Sequence, residues 1–190
     1  MMEKKIIYFE RPGRENTEVC LDIVKETLSS TDIMHLLVAS TTGDTGLLFA
    51  EALKETGINL IVVTHSHGFK EPNTIEMPHE VRERIESLGA KVYTGTMITH
   101  SLETALAKKF SGVYPTLLVA QSLRRFGEGP KVCIEMVMMA ADAGLIPESE
   151  EILTVAGTAR GADTVMIIRS AASKRFLDLK VLEILAKPRG

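Results

Sequence analysis

Short apolar runs alternate with amphipathic stretches along nearly the whole of this sequence, and that alternation is the tightest constraint on its fold. It is the pattern of a parallel sheet covered by helices. The run Leu36-Leu37-Val38-Ala39 is apolar at every position, as a strand buried on both faces must be, whereas a half-exposed strand would alternate. Residues 6–9, 58–63 and 91–94 predict further strands. Between them, Cys20, Ile23, Val24, Thr27 and Leu28 fall at helical spacing behind Asn16, a candidate N-cap. A second helix runs to about residue 55 and closes at Gly57. Val81, Ile85 and Leu88 mark a third, and Leu102, Ala105, Leu106 and Phe110 a fourth. Residues 116–144 read as helical with an interruption at Gly127-Glu128-Gly129-Pro130. The part from 132 to 143 is apolar nearly all round, which predicts burial.

Two β-branched segments, 152–156 and 164–168, close the sheet. The seven residues from Gly157 to Asp163 are too few for a crossover helix, so these strands are antiparallel neighbours. The expected fold is therefore α/β: three layers, α/β/α, with a mostly parallel sheet and an antiparallel C-terminal edge strand. With 190 residues and no repeat or linker, one domain over 1–190 is the expectation. A net charge of −3 with scattered basic residues gives no footprint for nucleic acid. No apolar run approaches the roughly 20 residues that cross a bilayer. The N-terminus runs into a strand without a signal-peptide pattern, so the expected location is cytoplasmic. Cys20 and Cys133 lie outside any CxxC spacing, within helical patterns, and read as buried reduced thiols.

The first chemical signal is Ser40-Thr41-Thr42-Gly43-Asp44-Thr45-Gly46, between a buried strand and a helix. A helix start presents unpaired N–H groups and favours an anion. Glycines let the backbone approach a ligand, and the hydroxyls add donors. The loop also lies at the carboxyl end of a strand, where ligands bind in open α/β sheets. It lacks the lysine of a Walker A loop. Threonine and aspartate also serve as plain helix caps, so the pattern alone leaves two readings.

The order strand, threonine-rich glycine loop, helix, strand ending Val62-Val63-Thr64 resembles the C-terminal domain of pyruvate kinase. The likeness continues in Thr154-Val155-Ala156-Gly157-Thr158 and Gly161-Ala162-Asp163-Thr164. Over its full length the chain resembles a family of stand-alone proteins similar to that domain, mostly archaeal. Residues 8–17, Val63-Thr64-His65 and residues 140–147 carry that match. The resemblance implies a phosphate cradle at Thr41, Thr42, Gly43, Asp44 and Thr45, with Ser40 beside it, and a lid from Gly157 to Thr164. The barrel that carries pyruvate kinase chemistry has no counterpart here, so that activity is not implied. Asp44 stands where a neutral or basic residue would suit a phosphate better; it can instead cap the helix or bind a ribityl or ribose hydroxyl.

A polar stretch, 65–78, is too long for a simple connection and is expected to be functional or mobile. It begins with His65, expected at the pocket mouth beside Thr64. His65 and His67, with Glu71 and His79 nearby, lack a third ligand at diagnostic spacing, so no metal is expected. Arg160, on the glycine-rich hairpin loop with Thr158 and Gly161, is a candidate phosphate partner or a solvated tip. Arg11 and Arg14, on the first strand-to-helix loop, have the same two readings. Glu135 lies in the apolar helix and is expected to pair with Lys131 or Arg124. Met136, Met138 and Met139 read as core filler. The leading expectation is binding of a small phosphate-bearing ligand, flavin mononucleotide (FMN) or a sugar phosphate. The alternatives are an enzyme with His65 or Asp44 as acid or base, and an oligomerisation or regulatory module forming a homo-oligomer.

Overall fold

The computed structural model, which describes residues 1 and 3–190, contains strands β1 (Ile7–Phe9), β2 (His35–Ala39), β3 (Asn59–Val63), β4 (Lys91–Tyr93), β5 (Glu151–Ala156), β6 (Thr164–Arg169) and β7 (Lys180–Pro188). The helices are α1 (Thr17–Ser30), α2 (Asp44–Leu53), α3 (His79–Ser87), α4 (Leu102–Phe110), α5 (Pro115–Leu123) and α6 (Glu128–Asp142). The strands form one sheet in the order β1-β7-β6-β5-β2-β3-β4. All neighbours are parallel except β6, which runs against both β5 and β7.

The fold class holds, with one correction. The antiparallel strand is interior, because β7 and then β1 extend the sheet beyond it. The sequence signal for β7 is poor for a physical reason. Only Ala186 is buried along it, its pairing with β6 shifts register twice, and its apolar residues do not alternate.

Alternate residues of the central strands enter two separate cores. Leu36, Val38, Leu60, Val62, Leu153 and Val155 pack with Cys20 and Val24 of α1, Phe49 of α2 and Ile85 of α3. Leu37, Ile61, Val63, Ile152, Ala156 and Ile168 pack with Cys133, Val137 and Ala140 of α6. Hence α1, α2 and α3 cover one face and α6 the other, which is the three-layer arrangement. The near-continuous apolar character of α6 follows: eleven of its residues, 129 to 131 and 133 to 140, are buried. Gly127 stands at its N-cap and Pro130 lies in its first turn, so the predicted interruption is the helix start. Pro115 likewise opens α5. Both cysteines are buried and unbridged, and burial pushes each thiol up to about 12, which leaves them inert at neutral pH.

Gly46, in the first turn of α2, is fixed by how closely that helix lies on β3. A Cβ there would sit 2.5 Å from Val62 Cγ1 and 3.3 Å from Ser40 Cβ. Gly46→Ala is expected to cost about 1–3 kcal/mol through this overpacking, read as a lower urea midpoint with an unchanged slope.

Candidate functional site

Strand β2 ends at Ala39, and α2 begins after four intervening residues. Ser40 is buried, and its Oγ accepts the Gly46 N–H at 3.0 Å. One of the orphan donors of the helix start is thereby used within the protein. Leu47 N–H bonds back to Gly43 O at 2.8 Å. Among the described residues, no protein acceptor is found for the amides of Thr42, Gly43, Asp44 and Thr45. Gly43 takes φ +99°, the left-handed conformation that glycine tolerates best. Its α-carbon is packed under Met77 and Val81, so in the predicted cradle it supplies backbone and not an open approach.

A pocket of about 1100 Å³ opens beside this loop. Ser40, Thr41, Thr42, Asp44 and Thr45 line it, joined by Thr64 and His65 from the end of β3. Gly157, Thr158, Arg160 and Gly161 also line it, with Arg14. Gly43 and Thr164 are outside this lining. Thr164 is fully buried, its hydroxyl donates to Asp163 Oδ1 at 2.9 Å, and its side chain packs where a Cβ on Gly129 would be.

The expected lid from 157 to 164 is therefore only partly a rim. Asp163 is fully buried, and its Oδ2 accepts the N–H groups of Gly13 and Thr158, both at 3.0 Å. Ala162 N–H donates to Thr17 Oγ1 at 3.0 Å. Gly161, at φ +74°, comes so close to the first loop that a Cβ would lie 2.5 Å from Arg14 Cα. These contacts fasten the hairpin to the start of α1 and bring Arg14 and Arg160 to one edge of the pocket. Both guanidinium side chains belong to exposed residues, and among the described residues neither has an ion-pair partner. Arg11 lies outside the pocket. Asn16 stands at the N-cap of α1 as predicted, but its side chain makes no capping bond; its amide donates to Arg11 O and Gly13 O and shapes this same loop.

The floor is set by α6. Lys131 and Glu135 are almost fully buried and meet at 2.5 Å. Glu135 Oε1 also accepts the N–H and hydroxyl of Thr99, each at 2.7 Å. Burial alone would push the Glu135 carboxyl up; the Lys131 ammonium and the Thr99 donors outweigh it and hold it below the usual range. His100, 3.5 Å from Lys131 Nζ, is pushed down by burial and by the Lys131 charge. The expected pairing of Glu135 is with Lys131; Arg124 pairs with Glu128 at 2.9 Å.

The 65–78 stretch wraps back on the pocket. His65 Nδ1 lies 2.7 Å from Glu76 Oε2, and Lys70 Nζ lies 2.5 Å from Glu76 Oε1. Burial pushes Glu76 up, but its hydrogen bonds to Lys70 and His65 leave the carboxyl lowered overall. His65 Nε2 faces Thr41 Oγ1 at 3.4 Å, and its ring packs on Phe69 with centroids 4.3 Å apart. Met77, 2% exposed, anchors this stretch in the core. His67 and His79 are exposed and, like Glu71, outside the pocket. Among the described residues no group of three or more His, Cys, Asp or Glu is arranged to hold a metal ion. Nor, among the described residues, is any helix long and apolar enough to cross a membrane.

Sequence reasoning missed Glu76, Lys70 and His100 as pocket residues. Glu76 is eleven positions from its partner His65, in a stretch without periodicity, and nothing local marks it. A carboxylate flanked by Met77-Pro78 before a helix is the only signal the sequence offers.

The model of the family described as pyruvate kinase, alpha/beta domain, matches residues 18–168. Among solved structures, O-ureido-L-serine synthase is similar at 16% identity, over 72% of this chain and 41% of that one, with a TM-score of 0.31. A pyridoxal 5'-phosphate-dependent aspartate racemase is similar at 18%, over 75% and 47%, with a TM-score of 0.34. Escherichia coli diaminopropionate ammonia lyase in its apo form gives 13%, 70% and 39%, with a TM-score of 0.30. This chain spans less than half the length of each of those three chains, and a likeness so remote has no bearing on chemistry.

Lys131→Met alone strands a buried carboxylate and is expected to cost roughly 3–5 kcal/mol. Lys131→Met combined with Glu135→Leu is expected to recover most of that loss, measured by urea denaturation. Because the folded Glu135 carboxyl is held below its ordinary value of 4.5, its contribution is fully present above that pH and fades as pH falls through the lower folded value. The double variant should accordingly lose less stability than the parent on acidification below about pH 4.5.

Proposed function

We propose, from the premise that this chain belongs to the pyruvate kinase alpha/beta domain family, that its pocket binds a small phosphate-bearing ligand with a polyol or sugar body. The observation that carries this reading is that Thr42, Asp44 and Thr45, whose amides have no protein acceptor among the described residues, line one concavity together with Thr41, Arg14 and Arg160. The phosphate belongs at the amides, where donors and helix dipole favour negative charge. FMN and sugar phosphates share that end group, and the volume of about 1100 Å³ accommodates either.

The pocket is not uniformly basic, and that restricts the ligand. Glu76, Glu128 and Glu135 are each neutralised by a cation of the pocket wall. Glu15, Glu18 and Asp44 also line the pocket, without such partners among the described residues. A ligand carrying one phosphate and several hydroxyls satisfies both halves, since hydroxyls donate to carboxylates. A polyanion meets repulsion there. Pyruvate kinase chemistry forms no part of this reading.

A second reading, catalysis on a phosphorylated substrate with His65 as acid or base, is favoured by the 2.7 Å contact of His65 to Glu76. Asp44 lacks comparable support: it is exposed, and among the described residues its carboxylate meets only the Thr42 hydroxyl, at 3.4 Å. The oligomerisation reading draws on Leu102, Phe110 and Leu118, large apolar residues of α4 and α5 that stand exposed.

FMN is expected to raise the melting temperature of the protein where riboflavin, the same molecule without phosphate, does not. At a ligand concentration about 100 times its Kd, the stabilisation amounts to about 2.7 kcal/mol. Thr42→Ala and Arg160→Ala should each weaken binding by roughly 10-fold or more, the loss of a hydrogen bond to a charged group. Equal effects of riboflavin and FMN, and no response to ribose 5-phosphate, would remove the phosphate site.

A further inference from the structure

We propose that Thr41, His65 and Glu76 form a hydroxyl–imidazole–carboxylate relay that gives this pocket a hydrolytic activity on small carboxylic esters. The three side chains come from three different places, the β2–α2 loop, the end of β3 and the stretch before α3, yet line one wall. Glu76 Oε2 lies 2.7 Å from His65 Nδ1, and Lys70 pairs with the other carboxylate oxygen. An ionised Glu76 accepts a proton-bearing Nδ1, which fixes the tautomer and leaves the Nε2 lone pair free. That lone pair faces Thr41 Oγ1 at 3.4 Å. The contact is long, as such contacts commonly are before substrate binds. Phe69 packs against the imidazole and holds the ring plane. A hydroxyl, a base within reach of it and a third group orienting the base are the three parts of an activated nucleophile.

The oxyanion receptor is adjacent. The amides of Thr42, Gly43, Asp44 and Thr45 follow Thr41 directly and have no protein acceptor among the described residues. Donors of this kind stabilise the charge that develops on a carbonyl oxygen under attack. Thr41 Oγ bonds to the acyl carbon while its proton passes to His65 Nε2. The ester C–O bond then breaks, and the alkoxide takes that proton and leaves as alcohol. Water attacks the acyl-threonine, giving one proton to His65. As the acyl–threonine bond breaks, His65 returns the proton to Thr41 Oγ and the carboxylic acid departs. The sum is ester plus water to acid plus alcohol, with no other reactant.

The relay does not rest on the phosphate reading. It uses a neutral acyl substrate, so the two fail separately. The test is hydrolysis of p-nitrophenyl acetate and butyrate by the full chain, with acid-quenched mass spectrometry to locate a trapped acyl group. Turnover is expected with the acyl group on Thr41. Thr41→Ala and His65→Ala should each lower kcat/KM by about 100-fold or more. Thr41→Ser, which keeps the hydroxyl, should retain activity. Glu76→Gln should lower kcat far more than it raises KM, as a group that orients the base does. His79→Ala, altering an exposed histidine outside the pocket, should have no effect. Circular dichroism melts of each variant separate loss of chemistry from loss of fold. Absence of turnover and of an adduct in the folded parent overturns the proposal. So does full activity in Thr41→Ala, or an acyl group found only on lysine.

Discussion

Strand β2 is hydrogen-bonded to β3 on one side and β5 on the other. The chain passes from β2 to β3 through α2 on one face of the sheet, and it reaches β5 only after α6 has crossed the other face. The loop after β2 and the loop after β5 therefore diverge and leave a crevice at the carboxyl ends of the strands. This is where ligands bind in open α/β sheets. The pocket is a consequence of strand order before any side chain is considered. What the sequence adds is its lining: hydroxyls and glycines after β2, a glycine-rich turn after β5, and charged pairs from α6 and from the stretch after β3.

That lining has a physical cost, and two devices offset it. Asp163 is a fully buried carboxylate without a cation among the described residues, yet three donors converge on its two oxygens, and its own N–H donates to Ala156 O. Hydrogen bonds to a charged acceptor are stronger than those between neutral groups, and here they join the first loop to the last hairpin. Lys131 and Glu135 are the second device. A buried ion pair repays its desolvation poorly unless the remaining lone pairs are satisfied, and Thr99 satisfies them with two bonds. The first fastens the last hairpin to the loop before α1, and the second lies in the α6 lining of the pocket.

Much of the architecture was legible because burial on two faces leaves an unmistakable run such as 36–39, and because Gly57 marks the turn between the second helix and the next strand. The hairpin of β5 and β6 followed from connector length alone. Strand β7 did not, since a largely exposed strand with shifted pairing has no periodic apolar signature. The cradle was legible in residue type but not in packing: Gly43 looked like an open approach, whereas Met77 and Val81 occupy that side. Thr164 looked like part of a lid, but a threonine next to a buried aspartate at a strand start is drawn inward to bond it. Glu76 was invisible, because the contact that defines its role joins two ends of an irregular stretch.

The charges of the pocket show how a polar cavity in a protein of modest net charge stays open without becoming an indiscriminate anion trap. The cations of the floor and the lower wall, Lys70, Arg124 and Lys131, are each committed to a carboxylate. Their fields largely cancel at a distance while their donors remain in place. The guanidinium groups of Arg14 and Arg160 have no such partner among the described residues, and the first loop and the last hairpin bring them to one edge of the pocket. Carboxylates without a cation among the described residues, Glu15, Glu18 and Asp44, line the same pocket, so donors and acceptors are interleaved along it. Interleaved donors and acceptors favour a ligand that is itself both donor and acceptor, and orientation of its reacting group relative to His65 and Thr41 is what the proposed chemistry requires.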